Sequence, residues 1–588
     1  MQTGYWKLWP LCAETRWKKP ENGGYILKME FKWKKTENCF AEARTYEYEL
    51  PITGEELAAR LEGFEVKENH RFRRPVFSAK KGALEVKGIL KEKVVKINYT
   101  AENWEEEKNR MEAWMKNQEI YMEEKGESIC PVCLKVLPAQ KAVREDGIYL
   151  VKECPEHGRF EALIWEGTQE SYRDWGKHIL PSDRIPAALP EKQGCPLDCG
   201  LCENHQRRGC CVLLEVTGRC NLQCPTCFAG SGPQGRDVPL EELKDQMQYL
   251  MEQGGPFNLQ ISGGEPTVRE DLEEILRFGK KLGFTFFQLN TNGIRLAEEP
   301  GYAEKLKRAG LSCVFLQFDG LKEAPYQVLR GRPLLEIKKK AIDACEAAGL
   351  GVVLVPVIAP GVNEDQAGEI LFYARSRMPV IRGVHFQPVS YFGRCSESKG
   401  SYRITIPKML RLLEEQTGGW IHAGDFTGGG ATNPYCTFQA NYLRQKDGSM
   451  KLLAHGEPRT SGLSEQARDF VARQWSGNCC REGLQAGDGC CGEERTGESR
   501  CTEPPREENC CCGEETGRLT LDTSSLDNFL REIHRNTLAV SGMLFQDAWN
   551  LELDRLRRCY ILESDSRYGM VPFCIYNLTG SDGRALYR

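Results

Sequence analysis

The sequence predicts an α/β protein whose centre is a parallel sheet curled into a partial (β/α)6 barrel, with smaller modules before and after it. Three observations predict this. From residue 212 to about 390, a short apolar run and an amphipathic stretch alternate six times, the pattern of parallel strands covered by helices. Glycine, cysteine and asparagine clusters follow several of those runs directly, at the strand ends where such barrels keep their functional loops. A chain of 588 residues is also too long for one core, so about two to four domains are expected.

The six apolar runs are 212–216, 257–261, 284–289, 313–318, 352–357 and 383–387. Between the first two, Leu240, Leu243, Met247, Leu250 and Met251 recur at helical spacing, with Asp237 as the expected N-cap. Leu334, Ile337, Ala341, Ala344 and Ala348 form a later stripe, and Cys345 borders it as a core thiol. Ahead of the barrel, residues 1–115 predict a small α+β module. Its strands fall at 25–33 and 45–50 with a basic strand pair near 83–99, Thr53 caps one helix, and a charged helix covers 101–124. Nothing in this module demands chemistry.

The remaining boundaries expected are 116–190 for a ribbon, 191–211 for a cysteine loop, 212–400 for the barrel and 401–475 for the region after it. Residues 476–518 are rich in glycine, glutamate and cysteine, and predict an insertion without a core. A closing region covers 519–588.

A net charge of −5 and a pI near 6.1 give no basic footprint for nucleic acid. No apolar run is long enough to span a bilayer, and the first residues, Met1-Gln2-Thr3-Gly4-Tyr5-Trp6, lack a signal-peptide pattern. A cytoplasmic protein is expected, with no transmembrane segment; peripheral membrane contact stays open. Because the cytosol keeps thiols reduced, the 27 cysteines read as ligands rather than disulfides.

Four groups of cysteines follow. Cys220, Cys224 and Cys227 form C-x₃-C-x₂-C just after the first strand run. Three thiolates on one loop hold three corners of a [4Fe–4S] cube and leave one iron open, since the usual complement is four. Cys130-Pro131-Val132-Cys133 and Cys154-Pro155-Glu156-His157 are two knuckles of a four-ligand ribbon, with a hairpin turn at Glu145-Asp146-Gly147 between them and His157 as fourth ligand. Cys195, Cys199 and Cys202 repeat the C-x₃-C-x₂-C spacing and suit an auxiliary cluster, for which Cys210 or Cys211 is a candidate fourth ligand. Cys559 and Cys574 flank a predicted hairpin and, with Cys436, make a third cluster site.

The second strand run ends in Gly263-Gly264-Glu265-Pro266. The cysteine loop followed by this turn resembles the radical S-adenosylmethionine (SAM) superfamily. The resemblance implies that the open iron chelates SAM, that Gly263, Gly264 and Glu265 bind its amino group, and that Asn292, after the third strand, contacts its ribose or carboxylate. The glycines let backbone approach the ligand, and a carboxylate accepts from an ammonium. The fold is then a radical SAM core carrying a metal-binding ribbon and a C-terminal iron–sulfur region.

The order C-P-x-C, C-P-x-H-G, C-P-L-D-C-G-L-C-E-N-H, the cluster loop, G-G-E-P-T-V-R and a final R-C…P-F-C is similar to one subfamily. It holds archaeal tetraether lipid synthase and bacterial relatives described as pterin-methylating. The match spans about residues 125–470 and 520–580, and implies three [4Fe–4S] clusters and a rubredoxin-like mononuclear iron, though the ribbon's residues by themselves suit iron or zinc alike. It also implies reductive cleavage of SAM to a 5′-deoxyadenosyl radical that takes hydrogen from an unactivated carbon. The reductant is then of the flavodoxin or ferredoxin kind.

The first expectation for the outcome is coupling of lipid alkyl chains. Methylation of a pterin-like or other small molecule is the alternative, followed by peptide modification, because Lys446-Asp447-Gly448-Ser449 resembles a SPASM-type hairpin. A non-catalytic iron–sulfur protein stands last, since the Gly-Gly-Glu turn is intact.

Overall fold

The computed structural model describes residues 31–36, 44–116, 120–178, 192–200, 202–207, 209–395, 403–428, 433–453, 468, 472, 475 and 532–588. The cysteine-rich stretch 476–518 and residues 25–30 of the strand expected over 25–33 lie outside these residues. The chain divides into two compact units.

The first unit is an antiparallel sheet of six strands in the order β1-β2-β6-β5-β4-β3. They are β1 (Lys32–Lys35), β2 (Thr45–Glu49), β3 (Glu65–Asn69), β4 (Val76–Lys81), β5 (Leu84–Ile89) and β6 (Val94–Tyr99). Alternating residues of β2, β4 and β6 enter one core with Leu57 and Met115. Helix α1 (Gly54–Arg60) starts at the expected cap: Thr53 and Glu56 form a reciprocal capping box. Helix α2 (Trp104–Lys116) is shorter than the predicted 101–124. By residue 120 the chain is already in β7 (Ile120–Ile129), where Ile120-Tyr121-Met122 suits a strand better than the charged run before it.

The ribbon strands continue with β8 (Val136–Arg144), β9 (Gly147–Cys154) and β10 (Gly158–Trp165). β9 and β10 pair antiparallel around the second knuckle, Gly158 opposite Cys154. The short helix α3 (Gln169–Trp175) follows.

The second unit is dominated by a twelve-stranded sheet. All six predicted strands are in it: β11 (Cys211–Thr217), β12 (Asn258–Gly263), β13 (Phe287–Thr291), β14 (Cys313–Gln317), β15 (Gly351–Val355) and, after the two-residue β16 (Val357–Ile358), β17 (Ile381–Pro388). Each pairs in parallel with the next along the run β11-β12-β13-β14-β15-β17. Helices α4 (Leu240–Glu252), α5 (Leu272–Leu282), α6 (Ile294–Glu298), α7 (Tyr302–Ala309), α8 (Glu323–Arg330), α9 (Leu335–Ala348) and α10 (Ala367–Ser376) fill the crossovers, and α11 (Ile406–Gln416) follows the last strand.

Among the described residues the sheet does not close on itself, and the parallel run is longer than six strands. The chain beyond the barrel returns to both edges. After the antiparallel pair β18 (Thr437–Arg444) and β19 (Met450–Leu452), strand β20 (Thr537–Met543) lies parallel to β17, while β21 (Ile561–Asp565) lies parallel to β11 and carries β22 (Gly569–Pro572) antiparallel on its far side. β18 lies antiparallel on β20. Both edges are thus covered by paired strands.

Two helix expectations change. Pro239, not Asp237, is the N-cap of α4, and no side chain caps it; Asp237 instead accepts from Thr217 Oγ1 at 2.6 Å and from Arg219. On α9 the buried stripe is Leu335, Lys338, Ala341, Ile342 and Cys345, rotated from the predicted one. Cys345 is a core thiol as expected, but a lysine occupies a core position.

Candidate active site and metal centres

The loop after β11 carries Cys220, Cys224 and Cys227. Gly393 and Arg394, just beyond β17, pin it. Arg394 exchanges two backbone hydrogen bonds with Cys227, at 2.8 and 3.0 Å. Its guanidinium donates to the carbonyls of Cys224 (2.7 Å), Gly230 (3.1 Å) and Ser231 (2.8 Å). Gly393 has φ +51°, and a Cβ there would sit 2.3 Å from the Phe228 carbonyl oxygen, so only glycine lets the two segments approach this closely. Leu222 N–H points at Cys220 Sγ, 3.3 Å away.

Burial pushes the Cys220 thiol up to about 12 and also raises that of Cys224, where the guanidinium of Arg330 pulls the other way. The loop thus needs added positive charge to hold thiolates, which cluster iron supplies. No other cysteine and no histidine stands between residues 218 and 238. The donor set therefore fits a cluster with one open iron.

The Gly263-Gly264-Glu265 turn lies against the same loop. Gly264 N–H donates to Thr217 O (2.7 Å) and Glu265 N–H to Arg219 O (2.9 Å). A Cβ on Gly263 would stand 2.2 Å from Thr217 O, and one on Gly264 2.1 Å from Arg219 O. The carboxylate of Glu265 is 1% exposed. Its Oε1 accepts from Thr267 N–H and Oγ1 and from Thr291 Oγ1, and its Oε2 from Asn292 N–H at 2.6 Å. The acceptor expected to face an ammonium is thus turned into the protein, tying the end of β12 to the end of β13.

Asn292 is spanned in the same way. Its amide donates to Asn221 Oδ1 on the cysteine loop (2.7 Å) and its Oδ1 accepts from Ile294 N–H. Its carbonyl accepts from Lys338 Nζ at 2.5 Å. Lys338 is fully buried, and burial draws its pKa down to about 8 against the attraction of Asp319. Asp319 makes a two-pronged ion pair with Arg330, 2.7 and 2.8 Å.

The ribbon knuckles converge. One ligand atom from each of Cys130, Cys133, Cys154 and His157 lies within 4.8 Å of the others. Cys133 and Cys154 sulfurs are 3.9 Å apart, and His157 Nδ1 is 3.4 and 3.7 Å from the sulfurs of Cys154 and Cys130. Tetrahedral bonds of about 2.3 Å put neighbouring ligands about 3.8 Å apart, so these edges fit a single ion.

Cys195, Cys199 and Cys202 sit on a second pinned loop. Asp198 Oδ2 collects the N–H groups of Lys192, Gln193 and Gly194, and Tyr587 bridges Pro196 O and Cys199 N–H. Of the two proposed fourth ligands, Cys211 Sγ accepts from Gln260 and Cys210 packs with Tyr560 and Ile561.

The hairpin β21–β22 brings Cys559 and Cys574 to one end, and both line a single cavity with Cys436, Asn433, Gln546 and Arg555. Arg555 donates to Cys436 Sγ at 3.1 Å, and Gln546 N–H points at Cys574 Sγ at 3.3 Å. His205 of the second loop hydrogen-bonds the Cys559 carbonyl at 3.0 Å.

Two family models match the chain: the radical SAM superfamily over residues 214–374, and the HMPTM N-terminal zinc ribbon domain over residues 122–166. The 7,8-dihydro-6-hydroxymethylpterin dimethyltransferase of Methanocaldococcus jannaschii is 36% identical over 485 residues, 78% of this chain and 94% of that protein. The chain belongs to the radical SAM superfamily. The GTP 3′,8-cyclase of Paenarthrobacter nicotinovorans is 30% identical over 211 residues, covering 35% of this chain and 58% of that enzyme. Among solved structures, Streptococcus suis SuiB bound to S-adenosylmethionine aligns at TM-score 0.31 with 17% identity, over 36% of this chain and 47% of that one.

As a radical SAM enzyme the protein uses a [4Fe–4S] cluster and SAM. Sequence reasoning missed Arg394, Arg330 and Lys338 at this site. Lys338 left one signal, a lysine inside a helix stripe otherwise apolar. No helix among the described residues is long and apolar enough to cross a membrane.

Proposed function

We propose that this radical SAM enzyme methylates a reduced pterin or a closely similar heterocycle. The observation that carries the reading is the M. jannaschii relative, a pterin dimethyltransferase by name, with which the chain aligns over 94% of that protein's length. Coupling of lipid alkyl chains, the first expectation from the motif order, rests on that resemblance alone.

Cys220, Cys224 and Cys227 would hold the SAM-binding cluster. Cys195, Cys199 and Cys202 would hold an auxiliary cluster and Cys436, Cys559 and Cys574 another, while Cys130, Cys133, Cys154 and His157 would hold the ribbon metal. When bound, cluster and SAM supply one-electron cleavage of the sulfonium to a 5′-deoxyadenosyl radical.

The chain's own part is to position. Arg394 fixes the height of the cysteine loop through three carbonyls. Glu265 locks Gly263-Gly264 beside it, so SAM, when bound, would be offered main chain rather than the Glu265 carboxylate at the turn. Lys338 and Asn292 tie the next strand end to the same loop. No general base is needed for hydrogen abstraction, which suits a site where Glu265 is spent on hydroxyl and backbone donors, Lys338 on a carbonyl and Asp319 on Arg330. A small substrate and a one-electron donor of the flavodoxin or ferredoxin kind complete the system.

The test is anaerobic incubation of reconstituted protein with SAM, dithionite and 7,8-dihydro-6-hydroxymethylpterin. The expected product is the pterin carrying one or two added methyl groups. Unchanged pterin, with lipid extract instead yielding products lighter by hydrogens and joined at chain carbons, would return the case to alkyl coupling.

A further inference from the structure

Each of the three cysteine triads has an arginine whose charge acts on one of its thiols. Arg555 donates to Cys436 Sγ, and the guanidinium charges of Arg330 and Arg557 favour the thiolates of Cys224 and Cys195. The three arginines differ in how their charge is balanced. Arg330 is matched by Asp319 in a buried two-pronged pair. Arg557 is matched by two carboxylates, Glu127 at 2.7 Å and Asp554 at 2.8 Å, leaving a net negative group. Arg555 shares one carboxylate, Glu552, with a second cation: Arg555 lies 3.2 Å from Oε1 and Lys141 2.8 Å from Oε2.

The third group is therefore net positive, and it is also the one that water screens least among the two auxiliary sites. Side-chain exposures are 9% for Arg555, 11% for Glu552 and 15% for Lys141, against 50% for Glu127 and 70% for Asp554. Reduction adds one negative charge to a cluster without moving a bond or a proton. Its potential rises with buried positive charge and with hydrogen bonds to the ligand sulfurs, and falls with negative charge and solvent. The charge of Arg555 bears on these cysteines through Cys436 and Cys574.

We propose that the Arg555–Glu552–Lys141 group makes the Cys436/Cys559/Cys574 centre the highest-potential iron–sulfur site of the molecule, the end at which electrons collect. The inference rests on reading those three cysteines as cluster ligands. It assigns Arg555 and Lys141 as positioning and charge-setting residues of a centre that takes its electron from the other clusters or from the external one-electron donor.

The test is an anaerobic redox titration of the reconstituted full chain, followed by paramagnetic resonance. The Cys436→Ala/Cys559→Ala/Cys574→Ala variant identifies the signal. That signal should be the first to appear as the potential is lowered. Arg555→Gln should lower the reduced-to-oxidised ratio of this centre at fixed potential tenfold or more, about 59 mV for one electron. Lys141→Met, which touches no ligand, should move it the same way by less, with iron and sulfide content unchanged. A third-site signal that appears last, or both variants staying within twofold of wild type at full iron content, would overturn the proposal. If Arg555→Gln fails to assemble its cluster, Lys141→Met alone decides. Wild-type iron content in the triple-cysteine variant would instead remove the cluster reading, and the proposal with it.

Discussion

At the scale of single residues, the site is built from groups that have already chosen partners. Glu265 takes four donors, Asn292 uses its amide, its side-chain oxygen, its N–H and its carbonyl, and Lys338 meets that carbonyl from a helix 46 positions later in the chain. Such spending of polar capacity makes a stiff cradle, because loosening any one group leaves another buried and unpaired at about 1–3 kcal/mol. Gly264 is the tightest point. A methyl group there meets Arg219 O at 2.1 Å, a backbone atom with no freedom to turn away. Gly264→Ala should therefore lower 5′-deoxyadenosine release by at least about tenfold, the equivalent of 1.4 kcal/mol, and lower the melting temperature. Release at the wild-type rate would show that the turn does not set the site.

The cysteines were legible at this scale because their spacing is local. C-x₃-C-x₂-C needs only eight consecutive positions, so a loop that can hold a cluster is visible without a fold. Arg394 was not legible as a clamp, since its three acceptors lie 163 to 170 positions away. Lys338 was read past because lysine marks a solvated face in a helix; only the sheet beneath α9 turns it inward.

At the scale of elements, strands were easier to read than helices. The barrel strands are mostly buried and so appear as largely apolar runs, though β12 and β13 carry polar residues within them. Strands β20 and β21 were not anticipated as sheet neighbours, because nothing in a short apolar run says which edge it joins. Helix α2 ends early because strand-forming residues follow it, and the α9 stripe is rotated because packing on the sheet overrode the apolar pattern. The ribbon is the element whose chemistry is most local. Its four ligand atoms already stand at tetrahedral edges, and they hold the two knuckles together only if an ion offsets the crowding of thiolates. The full chain should lose one metal equivalent when Cys133 and Cys154 are both changed to Ser, while the iron and sulfide of the clusters persist. Elemental analysis showing no change would contradict the site.

At the scale of the whole molecule, the second unit joins the ribbon sheet to a twelve-stranded sheet that carries the cysteine loops at its strand ends. The chain leaves the barrel after β17 and comes back to cover both sheet edges. In doing so it carries Cys436 before β18 and Cys559 and Cys574 around β21–β22. The same return anchors the second cysteine loop, through Tyr587 on Cys199 and His205 on the Cys559 carbonyl. These cysteine groups are therefore placed by one continuous topology, and the motif order in the sequence records it.

The claim that everything else depends on is that Cys220, Cys224 and Cys227, held beside Gly263-Gly264-Glu265, commit this protein to reductive SAM cleavage. The direct measurement is 5′-deoxyadenosine formed by anaerobic, reconstituted protein with dithionite and SAM. Wild type should release it, and the Cys220→Ala/Cys224→Ala/Cys227→Ala variant, still carrying the iron of its other sites, should release none. Cleavage that persists in that variant would contradict the account.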